Sequence, residues 1–180
     1  MTISKRDRKT IRAADSDKYL GKQPPSGNPD EDLRVILDII GNKGWALVER
    51  SENSPWADWT TTFHLRIAVE HGFYKKPVWQ QQATLWHENV HIDQRLDVGR
   101  HRFNVRWAAS QRYRLIYETH AYRESVRNLK ARGANEQQID QYITYVIRML
   151  RYKYKIRLLR KREVRNEIRD ILRLGATDWA

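Results

Sequence analysis

A chain of 180 residues is sized for one domain with at most an added arm, and without cysteine it can build neither a disulfide nor a thiolate metal site. Any transition-metal site must therefore use His and carboxylates. A formal net charge of +12 favours contact with polyanions such as nucleic acid, an anionic surface or an acidic protein.

No apolar stretch follows the basic start, and no apolar run is long enough to span a bilayer, so a cytoplasmic protein without a membrane span is expected. Residues 1–30 carry Lys5, Arg6, Arg8, Lys9 and Arg12, then Pro24, Pro25, Gly27 and Pro29. That pattern predicts a basic arm and linker. A short helix is expected over 30–40, with Leu33, Ile36, Leu37 and Ile40 on one face and Gly41 as its stop. Residues 45–50 read as a strand. Residues 60–70 read as a second, with Phe63, Leu65, Ile67 and Val69 alternating with Thr62, His64, Arg66 and Ala68. The two could pair as a small sheet.

Pro77 suits the first turn of a helix over 78–97, stopped by Gly99. Residues 101–132 predict two helical pieces broken near Ser110, with Gly133 as a C-cap. Asn135 and Gln138 form a capping-box pattern. Ile139, Ile143, Val146, Ile147 and Leu150 give the next apolar stripe. Residues 151–157 alternate strictly, and the flanking pattern favours a helix with a basic exposed flank over a strand. Val164, Ile168, Ile171 and Leu172 mark a last helix.

The chemistry concentrates in the helix over 78–97. His87, Glu88 and His91 form H-E-x-x-H. Residues four apart project from one helical face, so both imidazoles can grip one metal ion while Glu88 sits beside the open position as a general base. A catalytic zinc usually takes three protein ligands. The third must come from downstream, where Tyr117, Glu118, Thr119, His120, Ala121 and Tyr122 follow one another. Glu118 completes a His-His-Glu set. His120 is the alternative, but it lies about 200° round a helix from Glu118, so both cannot serve one ion.

This motif, followed by E-x-x-A on a later helix, resembles the gluzincin branch of the zincin metallopeptidases. It is similar in particular to small zincin-like proteins of bacteria and their phages. The pattern is carried by His87, Glu88, His91, Gln94, Glu118, Ala121 and Tyr122, and the resemblance covers roughly 60–124. It implies a zincin fold, with a small twisted sheet over an active-site helix and then a ligand-bearing helix. Together with the element pattern, the chain reads as α+β and mostly helical: a zincin-like core over 31–133, then a long basic helical extension over 134–180. The resemblance also implies Zn2+ as cofactor, with His87, His91 and Glu118 as ligands, Glu88 as general base, and a peptide or protein as substrate. Related zincins often place an Asp where this chain has Tyr122, there to orient a ligand His. Tyr122, His120 and Tyr117 are the orienting or oxyanion candidates, with Tyr113 and His101 behind them. The strand over 60–70 could hold an extended peptide by strand addition.

A second reading rests on charge. Lys153, Lys155, Arg157, Arg160, Lys161 and Arg162 lie among Tyr152 and Tyr154, which could stack on bases. A virion or assembly protein, or one that contacts nucleic acid, could keep a zincin-like core for structure and be packaged in a particle.

Overall fold

The computed structural model describes residues 28–55 and 60–177. The expected arm over 1–30 falls almost wholly outside them. Asn28 caps the first helix, α1 (Pro29–Asn42), accepting from the Asp30 and Glu31 amides. Asp30, Glu31 and Asp32 set negative charge against the positive end of its dipole. Ile36 and Ile40 carry its buried stripe. Just past the helix, the Lys43 ammonium reaches Asn89 and Asp93, at 2.7 Å each.

Three short strands follow: β1 (Ala46–Glu49), β2 (Thr61–Phe63) and β3 (Arg66–Val69). Their order is β1-β3-β2, with β1 parallel and β2 antiparallel to β3. The single strand expected over 60–70 is therefore a hairpin, with Phe63 opposite Arg66. His64 and Leu65 form its turn with φ of 42° and 60°. Two positive φ values match the tight turns that follow the twist of paired strands, and Asn or Gly usually supplies them. Here a β-propensity run simply continues through the turn, so the alternation hides the reversal. Central β3 buries Ile67, Ala68 and Val69 in succession, so side chains on both of its faces are covered.

The helices match expectation closely until the last third. They are α2 (Val78–Val98), α3 (Arg100–Ala109), α4 (Gln111–Ala131), α5 (Glu136–Arg148) and α6 (Arg162–Thr177). Gly99, at φ 84°, permits the corner between α2 and α3. Ser110 caps α4, and the Asn135–Gln138 capping box opens α5. The helix expected to run on through 151–157 does not form. The chain loosens into a π-turn at Met149–Lys153, takes a positive φ of 53° at Lys155, and winds one 3-10 turn at Arg157–Arg160. Tyr154, Ile156 and Leu159 turn inward while Tyr152, Lys155, Arg157 and Arg160 face out. Alternate side chains must be buried, and a regular α-helix cannot do that.

The architecture is α+β, mostly helical, with a small mixed sheet. Two apolar clusters flank α2. One joins α1, the sheet and α2 through Ile36, Ile67, Phe73 and Trp86. The other joins α4, α5 and α6 through Leu115, Val126, Ile143, Val146, Ile168 and Leu172. Small residues let α2 and α4 approach: the Ser125 hydroxyl donates to the Ala83 carbonyl at 3.1 Å. Enclosed on both sides, α2 carries buried His87, Glu88, Asn89, His91 and Gln94 through its middle. Polar groups buried at that density cost free energy unless paired or bound to a ligand. Among the described residues, no helix is long and apolar enough to cross a membrane.

Candidate metal centre

One turn apart on α2, His87 and His91 hold their ring centroids 4.6 Å apart and nearly perpendicular. α4 crosses them and presents Glu118. One ligand atom from each of the three lies within 4.8 Å of the others. Glu118 Oε2 is 3.3 Å from His87 Nε2, and Oε1 is 3.4 Å from His91 Nε2. All three residues are buried. Both His87 nitrogens and Glu118 Oε2 complete no hydrogen bond among the described residues. Each such atom costs about 1–3 kcal/mol when buried. A cation between the two imidazoles and the carboxylate would satisfy His87 Nε2 and Glu118 Oε2 together, and the nitrogen–oxygen donor set suits zinc.

Without a metal, the charges of the triad answer one another. Burial works against ionisation of Glu118, yet His91 and His87 beside it hold the carboxyl well below the usual carboxylate range. Burial likewise opposes a charge on His91, but Glu118 and Glu88 outweigh it and raise the imidazole.

The surroundings fix which atoms face the centre. The Gln94 amide nitrogen lies 3.1 Å from the Tyr117 carbonyl, which can only accept. The Gln94 oxygen therefore faces His91 Nδ1, at 2.7 Å. His91 must donate there, which leaves its Nε2 lone pair free for a metal. Loss of such an orienting partner typically weakens metal binding by about 10–100-fold, and we expect that range for Gln94→Leu in competition with a chromophoric chelator. Unchanged affinity would show that Gln94 only fills space.

Trp107 on α3 donates its indole N–H to Glu118 Oε1 at 2.6 Å and steadies the carboxylate. The Thr62 hydroxyl donates to Glu88 Oε2. Arg95 ties the hairpin to α2, donating to the carbonyls of Thr62 at 2.9 Å and His91 at 3.2 Å. Glu88 thus hangs beside the triad, oriented by β2.

The other predicted residues divide. Tyr122 lays its ring on His87, with centroids 4.1 Å apart. His120 stands outside the triad; its Nδ1 meets the Gln94 amide nitrogen at 3.1 Å. Tyr117 contributes its carbonyl, while its ring packs on Phe103. Tyr113 stacks beyond Tyr117, and His101 is exposed on α3. Of the basic set, Lys153 lines a cavity of about 60 Å3 together with Thr60, His87, Glu88, Tyr122 and Tyr154. Lys155, Arg157 and Arg160 line a separate cleft, and Lys161 and Arg162 are exposed at the start of α6.

Sequence reasoning missed Trp107, Thr62 and Tyr154 as parts of this site. Tyr154 offered the one available signal, since it alternates with charged neighbours and so had to point inward. Burial and then Glu118 push its hydroxyl well above the usual phenol range, and burial does the same for Tyr122. Both phenols stay protonated and can donate.

His120 carries a pH dependence. Burial first, then Arg123 and His91, lower its pKa to about 4. The unfolded imidazole titrates near ~6.5, so the unfolded chain binds the extra proton first and stability falls as pH drops from there towards 4. A protonated Nδ1 would also confront the Gln94 donor. We expect urea midpoints to decline over that window and His120→Gln to decline less. Parallel curves would exclude His120 as the cause.

No protein-family model, no curated protein and no solved structure matches this chain.

Proposed function

We propose that the protein is a zinc-dependent metallopeptidase built on a zincin-like core. One observation carries the reading: H-E-x-x-H spacing on α2 and a carboxylate from α4 converge in a buried triad, with Glu88 held at its side. Bound zinc would lower the pKa of a water towards ~7 and polarise a scissile carbonyl. Glu88 accepts the proton and delivers it to the leaving amine. Thr62 keeps Glu88 turned to that task. Tyr122 and Tyr154 supply neutral O–H donors in the same cavity, where oxygen charge develops on a carbonyl under attack. β2 is an outer strand of the sheet, and an extended peptide could add along it, next to Glu88.

The test is metal content together with cleavage of a denatured protein such as casein. The wild-type chain should hold one zinc and cut. His91→Ala should lose both properties, and Glu88→Gln should keep zinc and lose cleavage. A chain that takes up no zinc when it is supplied overturns the proposal. Zinc uptake without any cleavage would favour a zincin-like core kept as the scaffold of an assembly.

A further inference from the structure

Behind the metal centre lies a second cleft, of about 820 Å3, between the α3–α4 corner and the irregular segment before α6. Arg114, Arg151, Lys155, Arg157 and Arg160 line it, and no carboxylate does. Arg114 builds the wall: it donates to the carbonyls of Trp107, Ala108 and Tyr154 and stacks on the Trp107 ring at 4.5 Å. Gln111 pins the opposite side by accepting from the Arg157 amide at 3.0 Å. The positive φ at Lys155 is a strained conformation for a side-chain-bearing residue, held at the rim of the cleft. Among the described residues, Arg151, Lys155, Arg157 and Arg160 are held in no ion pair with a carboxylate. Tyr152 stands in the same cleft, 65% exposed, with the Arg151 guanidinium 4.9 Å from its ring.

Four cations without counter-charge would repel one another, and an anionic ligand would relieve that repulsion. Planar guanidinium groups match phosphate oxygens in pairs. A half-uncovered tyrosine backed by an arginine matches an unpaired base, which duplex geometry would keep stacked away from it. We infer that this cleft binds single-stranded nucleic acid, with Lys155, Arg157 and Arg160 on the phosphates and Tyr152 under a base. An acidic protein segment would use the charges but would leave the aromatic ring without a role. The inference stands apart from the peptidase reading, since no metal ligand enters it. Tyr154 separates the two sites, its carbonyl held by Arg114 and its ring in the metal-site cavity.

The experiment is fluorescence anisotropy of the full-length protein with a labelled oligothymidylate of about twenty nucleotides, titrated with salt. With three phosphates engaged, the affinity should fall with a log–log slope of about −2, and the Lys155→Ala/Arg157→Ala double variant should flatten it by about 1.4. Tyr152→Ala should weaken binding about tenfold at an unchanged slope, and Tyr152→Phe should restore it. Glu88→Gln should bind as wild type does. All substituted cleft residues are exposed, and matching thermal melts would confirm that the fold persists. Polyglutamate displacing the oligonucleotide at equal charge concentration would point to an acidic protein and overturn the assignment. Equal affinity for duplex DNA, or a Tyr152→Ala variant as tight as wild type, would overturn it as well.

Discussion

Glu88→Gln is expected to abolish hydrolysis and leave zinc stoichiometry intact. The side chain stands outside the candidate triad, so His87, His91 and Glu118 are untouched. An amide fills nearly the same volume and can still accept from the Thr62 hydroxyl, so the packing between β2 and α2 is kept. What disappears is proton affinity. General-base catalysis contributes typically 10²–10⁴-fold, and the same group must also return the proton to the amine, so a fall in kcat of about 10³-fold or more is expected. That corresponds to roughly 4 kcal/mol of transition-state stabilisation. KM should hardly move, because the lost interaction acts only in the transition state. Single-turnover cleavage of a fluorogenic peptide, with zinc counted in the same sample, checks both halves. A variant that cleaves within about threefold of wild type would remove Glu88 from the mechanism.

Helix ends were legible because their signals are local. Ser110 and Asn135 satisfy the first amides of their own helices, and Gly99 adopts a backbone angle that other residues resist. The first helix was the exception: Asn28, read as linker, caps it, and Gly41, read as its stop, lies within it. The hairpin was not legible. His64 and Leu65 carry neither Gly nor Asn, and the period-two pattern runs through them undisturbed. The tertiary setting imposed that turn: β3 must lie between β1 and β2 with both faces buried. The segment over 149–160 failed for the opposite reason. Its alternation was visible, but an alternating pattern fits a strand, and the helical flanks argued for continuity. The chain satisfied the alternation with a π-turn and a 3-10 turn, which set Tyr154 in the cavity of the candidate metal centre and Lys155 in the cleft.

The site divides along the same line. His87 and His91 were legible because their spacing acts within one helix. Glu118 was named from its downstream position and the His-His-Glu set it completes, and the structure brings it to the two imidazoles. Its support was not legible. Trp107 reaches Glu118 only because Gly99 and Ser110 fold α3 back beside α4, and Thr62 reaches Glu88 only because the hairpin reverses. Gln94 belonged to the motif as a letter. Its role in setting the His91 tautomer appeared only with the Tyr117 carbonyl beside it.

Glu118→Gln should separate the metal from the fold. The amide oxygen can still accept from the Trp107 indole, so that buried N–H keeps its partner and avoids a cost of about 1–3 kcal/mol. Glu118→Ala removes the acceptor and should therefore be the less stable of the two without metal. The anionic ligand is lost in both. Apparent free energies of ~10–16 kcal/mol for a four-ligand zinc site imply roughly 3 kcal/mol per ligand, so affinity should fall on the order of a hundredfold. Zinc at a hundred times its dissociation constant stabilises a folded chain by about 2.7 kcal/mol. The wild-type melting temperature should therefore rise when zinc is added and fall with a chelator, whereas that of Glu118→Gln should barely respond at the same concentration. Gln94→Leu should sit between them, because His91 remains a ligand but loses its orienting acceptor. Melting curves with and without zinc for the four proteins test the ordering. If Glu118→Gln responds to zinc as fully as wild type does, the third ligand is another group and the triad is a buried ion pair.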